Sequence, residues 1–343
     1  MKICFSVLFS MLFVIVPAFC FGNLPLVNTQ EIVLDNITDV KIIYSSEQVS
    51  LFMGTTDRLI IKEYMSEDNS IYFAKIARSG NTVTIEHGRW PFRPFFNSFN
   101  RRLEVYLPLS FSNTISLRTS SGKIESSDNL FSSNLDLVCS SGSIKLNTVT
   151  SGTVKIKTSS GDITIASVNS DISVESSSGR INIDQITGVI TAASSSGRIH
   201  CEKIQGSANL NTNSGNILLG RIEGDVSVKA SSGRIDLEYV TGSVNAETNS
   251  GNIGLTAGEP SGDISLSTSS GRISLYVPQS LNFDFSSRTS SGRLTAPFSN
   301  QLSNPINDRS LTQGKIRGNN ASENTNAINI RTNSGAIKID WIQ

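Results

Sequence analysis

Ser231-Ser232-Gly233-Arg234-Ile235 is the stretch that decides the fold. Variants of Thr-Ser-Ser-Gly-x-Ile recur with their glycine at Gly122, Gly142, Gly161, Gly179, Gly197, Gly215, Gly233, Gly251, Gly271, Gly292 and Gly335. The steps between them are 20, 19, then five of 18, then 20, 21 and 43 residues. A near-constant period of this size marks a solenoid. After Gly233 the apolar residues are Ile235, Leu237, Val240, Val244 and Ala246; after Gly179 they are Ile181, Ile183, Ile186, Ile190 and Ala192. Spacing of two puts paired side chains on one face of a strand, and Ile and Val suit strands. Gly188, Gly224 and Gly242 supply a second turn in each unit. One coil therefore reads strand, turn, strand, turn. The expected fold is an all-β, single-chain parallel β-helix or β-solenoid with about 18 residues per coil, its strands stacked about 4.8 Å apart.

The Ser-Gly corner reads as structural. Glycine is expected there for a positive φ, and Ser or Asn for hydrogen bonds to the turn backbone. A nucleophilic serine is needed once, beside a base, whereas this one appears in every copy.

Length and composition narrow the function classes. The 343 residues carry 29 Lys+Arg and 29 Asp+Glu, so there is no net charge to hold a polyanionic nucleic acid. Residues 1–22 have the form of a secretory leader: Lys2, an uncharged apolar run from Ile3 to Val16, Pro17, then Cys20-Phe21-Gly22 as a small-x-small cleavage site. Cleavage after Gly22 is the first reading, and lipidation at Cys20 the alternative, disfavoured by bulky Phe19. The run is short for a membrane span, so no transmembrane segment is expected in the mature chain. The remaining cysteines, Cys139 and Cys201, fall about three coils apart, beyond disulfide reach, and read as free core thiols.

The expected organisation is a leader (1–22), irregular N-terminal β coils or a cap (23–114), and a regular solenoid (115–343). A polar loop at about 297–326 interrupts the stack, and Trp341 and Ile342 are expected to cap its end. Two stretches are candidates for binding. The residue after the repeat glycine is often basic, as in Lys123, Arg180, Arg198, Arg234, Arg272 and Arg293, an outward ladder broken by Asn216 and Asn252. It suits an anionic polymer, or is a solvated face that discourages aggregation. Residues 88–102 hold Trp90, Phe92, Phe95, Phe96 and Phe99 with Arg89, Arg93, Arg101 and Arg102 and no acid. They read as a hydrophobic flap closing the solenoid, or as a binding loop.

Catalytic signatures are missing from the sequence. Only His87 and His200 are present, no Cys/His spacing suits a metal, and there is no phosphate-binding loop or nucleophile elbow. No cofactor is expected. Parallel β-helices include polysaccharide-cleaving enzymes with acids clustered on one face, but the acids here are scattered.

Leu103-Glu-Val-Tyr-Leu-Pro108, then Ile115-Ser-Leu-Arg-Thr-Ser-Ser-Gly-Lys-Ile124 and the repeated Ser-Ser-Gly-x-Ile, resemble the bacterial DUF4097 adhesin-like family across residues 31–343. The autotransporter-head-like adhesins are a neighbouring resemblance. The resemblance implies a β-solenoid on a secreted or surface protein, an adhesin by inference, with some relatives tied to envelope stress. It implies no catalytic residues. The function expected is a non-enzymatic, exported surface that binds a glycan or an envelope protein, with Arg180, Arg198, Arg234, Trp90, Phe92, Arg93 and Phe95 as candidate contacts. The alternatives are a stress or scaffold protein binding a partner through residues 88–102, and a carbohydrate-active enzyme.

Overall fold

The computed structural model describes residues 24–91, 99–259, 262–298, 302–307, 310–316 and 325–342. The leader (1–22) with Cys20, and Phe92, Arg93, Phe95 and Phe96 of the aromatic stretch, lie outside the described residues.

The coils are laid down as the period predicts. Ile181–Thr187 pairs in parallel with Ile199–Gln205, that strand with Ile217–Glu223, and that with Ile235–Val240. Ile181, Ile199, Ile217 and Ile235 are direct partners, which sets the step at one coil. A second ladder runs through Ile190–Ser194, Ala208–Thr212, Val226–Ala230 and Val244–Thr248. The two walls face each other across one continuous core. Slipping either ladder by one residue would turn its whole Ile/Val set to solvent, so the aliphatic pattern fixes the register. Burying one such side chain contributes about 1.5–3 kcal/mol.

The repeat glycines have a different cause from the one expected. Among the described residues, positive φ occurs at Asn36, Gly80, Gly188 and Gly206 and at none of the Ser-Ser-Gly corners. What these corners require is space. A Cβ on Gly161, Gly179, Gly197, Gly215 or Gly233 would overlap the carbonyl oxygen of the glycine one coil below. The column of glycines is a backbone-to-backbone contact that no side chain fits. In the second corner, Gly188 (φ +138°) and Gly206 (φ +143°) do use glycine's conformational freedom.

Both ends of the stack depart from chain order. At the N-terminal end, Asp39–Ile43 pairs in parallel with both Thr82–Glu86 and Thr114–Thr119. Gln48–Gly54 likewise lies between Arg101–Pro108 and Ile124–Cys139. The first coil of the chain is thus the second in space. At the C-terminal end, Asn326–Thr332 sits between Ile264–Thr268 and Phe283–Thr289, and Ile337–Trp341 between Ile273–Val277 and Leu294–Thr295. The expected sequential order fails here: Gly335, not Gly292, stacks on Gly271. The coil containing Trp341 is therefore one layer in, and the end is covered instead by Phe283, Phe285 and Phe298, whose rings meet edge-on at 5.3–6.4 Å. Trp341 packs beneath, 5.4 Å from Phe298.

The polar stretch read as a loop also carries strands. Leu311–Ile316 runs antiparallel on Phe283–Thr289, and Ser303–Asn307 runs antiparallel on Leu311–Ile316. Its composition hid them because an edge strand is held by backbone bonds and needs little apolar surface. At the other end Arg58–Met65 lies antiparallel on Arg101–Pro108, Leu26–Val33 antiparallel on it, and Lys75–Ser79 antiparallel on Thr82–Glu86. Antiparallel strands cover both outer strands at the N-terminal end and Phe283–Thr289 at the C-terminal end, so that among the described residues the two-residue strand Leu294–Thr295 is the parallel edge left to recruit other chains.

Candidate functional site

The residues after the repeat glycines do form an outward column, and its members have unequal freedom. Arg180 is ion-paired to Asp162 at 3.2 Å, and Arg234 to Asp236 at 2.6 Å. Arg198 and Arg272 have no ion-pair partner among the described residues, and both are exposed. Because the last coils are interleaved, Ala336 separates Arg272 from Arg293 in the stack. The ladder is thus neutralised at Arg180 and Arg234, while Lys123 and Arg293, like Arg198 and Arg272, are exposed with no ion-pair partner among the described residues.

The residues read as breaks in the ladder have work of their own. Asn216 Oδ1 accepts the backbone N–H of Arg234 at 3.0 Å, and Asn252 Oδ1 that of Arg272 at 2.8 Å. Asp162 does the same for Arg180. At the second corner Asp171, Asp225 and Asp263 accept from Val189, Ser243 and Ala327, each at 2.8 Å. Each side chain bonds a backbone donor of the coil stacked on it. The alternation of Asn or Asp with Arg in one column was the available signal.

The strand after this corner presents a second outward column, which in stacking order reads Asn182, His200, Leu218, Asp236, Gly254, Ser274, Lys338. His200 faces out, its Nδ1 2.7 Å from Asn182 Oδ1, while Cys201 beside it is fully buried. Burial pushes the Cys201 thiol up to about 12 and also raises Cys139; both are free cysteines. Neither has thiolate character at neutral pH. The column is interrupted at Gly254, where a trough of about 450 Å³ opens. Arg234 and Arg272 stand on its corner side, Glu238 and Tyr276 on the other, and Asp236 reaches over its floor. Sequence reading took account of Arg234 and Arg272 and missed Gly254 and Tyr276, which look like ordinary strand residues until the columns are aligned.

The aromatic stretch behaves, in its described part, as a flap. Trp90 and Phe99 meet at 5.2 Å and lie over the Arg101 guanidinium, 5.1 and 5.7 Å from its centre. Arg101 is buried and ion-paired to buried Glu47, and it donates to the Tyr72 carbonyl at 2.7 Å. Glu47 also accepts the backbone N–H groups of Ser45 and Ser46 at 2.9 and 2.8 Å. Burial alone would raise the Glu47 carboxyl, but the Arg101 hydrogen bonds and charge, with the corner amides, hold it below the usual carboxylate range. Gly122 stacks directly on the Glu47 carbonyl. The ion pair therefore shapes the first corner of the glycine column. Nearby Glu63, fully buried, accepts from Ala74 N–H at 2.9 Å and Asn28 at 2.8 Å, and burial raises its pKa. Trp90 remains about half exposed, and its ring is engaged by Arg101.

Among the described residues, no group of three or more His, Cys, Asp or Glu side chains is placed to hold a metal ion, and no helix is long and apolar enough to cross a membrane.

The sequence profile of Toastrack DUF4097 matches residues 37–232 and 220–340. No curated protein matches the chain. Two crystal structures are similar over most of their length. One is of a candidate cell adhesion protein from Clostridium sporogenes, 11% identical, covering 92% of this chain and 98% of that one with a TM-score of 0.20. The other is of a candidate adhesin from Bacteroides fragilis, 12% identical, covering 92% and 96% with a TM-score of 0.35. At those TM-scores neither likeness bears on the site.

Proposed function

Because the chain belongs to the Toastrack DUF4097 family, with matches spanning residues 37–340, we propose that it is an exported, non-enzymatic β-solenoid whose outer surface binds glycan or protein at the cell envelope. The observation that carries this reading is the outer wall itself. Its outward side chains stack in straight columns, polar or charged in most coils, a surface suited to an extended ligand with a repeat of its own. The leader pattern in residues 1–22 supports export to the cell surface, the periplasm or the medium. In this reading residues 23–114 cap the stack and 115–343 present the binding surface.

The free cations Arg198 and Arg272 and the trough at Gly254 are the contacts this reading favours. Trp90 is assigned to the cap, since its ring holds Arg101 in place. Cell fractionation with a pull-down from envelope extracts tests the proposal. The protein should be recovered outside the cytoplasm with envelope glycan or protein attached. Recovery from the cytoplasm would overturn it, and release of reducing ends from a polysaccharide would overturn the non-enzymatic part.

A further inference from the structure

Gly254 has no structural reason to be glycine. It lies within the strand Ile253–Ala257, where glycine is less favourable than alanine because it loses more conformational freedom on folding. Its φ is not in the left-handed region. No backbone crowds it either: the nearest atom to an added Cβ is Asp236 Oδ1 at 2.9 Å, the end of a side chain that can move. The contrast with the corner glycines is direct, since there a Cβ would overlap backbone. The neighbouring outward-column gap at Gly220 is of the corner kind, because a Cβ there would overlap the Glu202 carbonyl. A strand glycine marks a bulge, a tight bend or a close approach of a ligand or another backbone; the bulge of this strand pair lies beyond Leu237 and Leu255, while Gly254 pairs in regular register with Asp236, which leaves the approach of a ligand.

The walls of the trough say what that ligand is. Asp236 spends Oδ2 on Arg234 at 2.6 Å and leaves Oδ1 over the floor as an acceptor. Arg272 supplies donors that no acid among the described residues occupies, and Glu238 supplies a second acceptor. Tyr276, 38% exposed, offers a ring at one end. Two cations and two carboxylates leave the trough without net charge. A polyanion laid in it would meet Asp236 and Glu238, whereas an uncharged ring bearing hydroxyls on its edge and C–H groups on its face satisfies all of these groups together. Donors and acceptors take the hydroxyls, and the tyrosine takes the apolar face. We propose that the trough over Gly254 is a subsite for a neutral saccharide unit, bound between Arg272, Asp236 and Glu238 and stacked on Tyr276. This rests on the envelope-binding reading and narrows its ligand to an uncharged glycan.

The test is calorimetric titration of the full protein with tetrasaccharides of glucose, mannose, galactose and N-acetylglucosamine, and separately with polygalacturonate. At least one neutral probe should bind. Gly254→Val, which fills the floor with a residue that favours strands, should weaken that binding at least tenfold with an equal or higher Tm. Tyr276→Ala should weaken it as well, and Asn245→Val on the opposite wall should leave it unchanged. Equal binding by wild type and Gly254→Val would overturn the trough and leave the envelope-glycan reading intact. Binding of polygalacturonate alone, or of no saccharide, would overturn the neutral ligand. Recovery of the protein from the cytoplasm would remove the reading beneath it.

Discussion

The first residue of each Thr-Ser-Ser-Gly corner is the one that fastens it. Thr158, Thr212, Thr248, Thr268 and Thr332 are buried, and each hydroxyl accepts the N–H of the glycine three residues on at 3.0–3.2 Å. Serine does the same at Ser194. At Ala230 this hydroxyl is missing, although the site is buried in the same column. Ala230→Ser should therefore raise stability by about 1 kcal/mol, the net worth of one such bond, and thermal melting checks it. Thr212→Val should cost about 1–3 kcal/mol by stranding a buried donor. The corner's structural character was legible in its repetition alone. The reason for its glycine was not, because a clash with the coil below belongs to the stack and not to any local stretch of chain.

At the scale of elements, the N-terminal cap is held by charge where the coils are held by aliphatic packing. Glu47 and Arg101 are 54 positions apart in the chain, so nothing local in the sequence pairs them. The aromatic stretch was legible as a flap, but its buried arginine was not distinguishable from the exposed ones beside it. The signs of the two buried carboxyls differ. Glu47, lowered in the folded state, contributes stability that is complete above the ordinary carboxylate range and lost as pH falls through its lowered value. Glu63, raised, contributes in the opposite sense: its share is complete when protonated and is lost as pH rises through its raised value. Glu47→Gln should thus cost about 3 kcal/mol near neutral pH by leaving Arg101 buried without its counter-charge. Melting curves of variant and wild type should converge as pH falls below roughly 4. A difference that stays constant down to acid pH would mean that the cost does not come from the lost charge.

Over the whole molecule, the period and the inward columns were readable from eleven glycine corners, and the solenoid follows from them. The order of the end coils was not readable. Each copy carries the same aliphatic pattern, so Ile328 and Ile330 can stack on Ile264 and Leu266 as well as Phe283 and Phe285 can. Only the assembled stack shows which coil lies next. Interleaving also gives each end a terminal coil that pairs with strands of opposite direction. The central claim is that coils pair in parallel and in register, with the last coil inserted one layer in. Paired cysteines on the outer wall test it most directly. Ser227→Cys/Asn245→Cys, direct partners 18 residues apart, and Ser265→Cys/Asn329→Cys, direct partners 64 residues apart, should form disulfides under mild oxidation. Ser265→Cys/Ser286→Cys, two coils and about 10 Å apart, should not. Cross-linking of the 265/286 pair with none at 265/329 would contradict the interleaved order, and no cross-link at 227/245 would contradict the stacked solenoid itself.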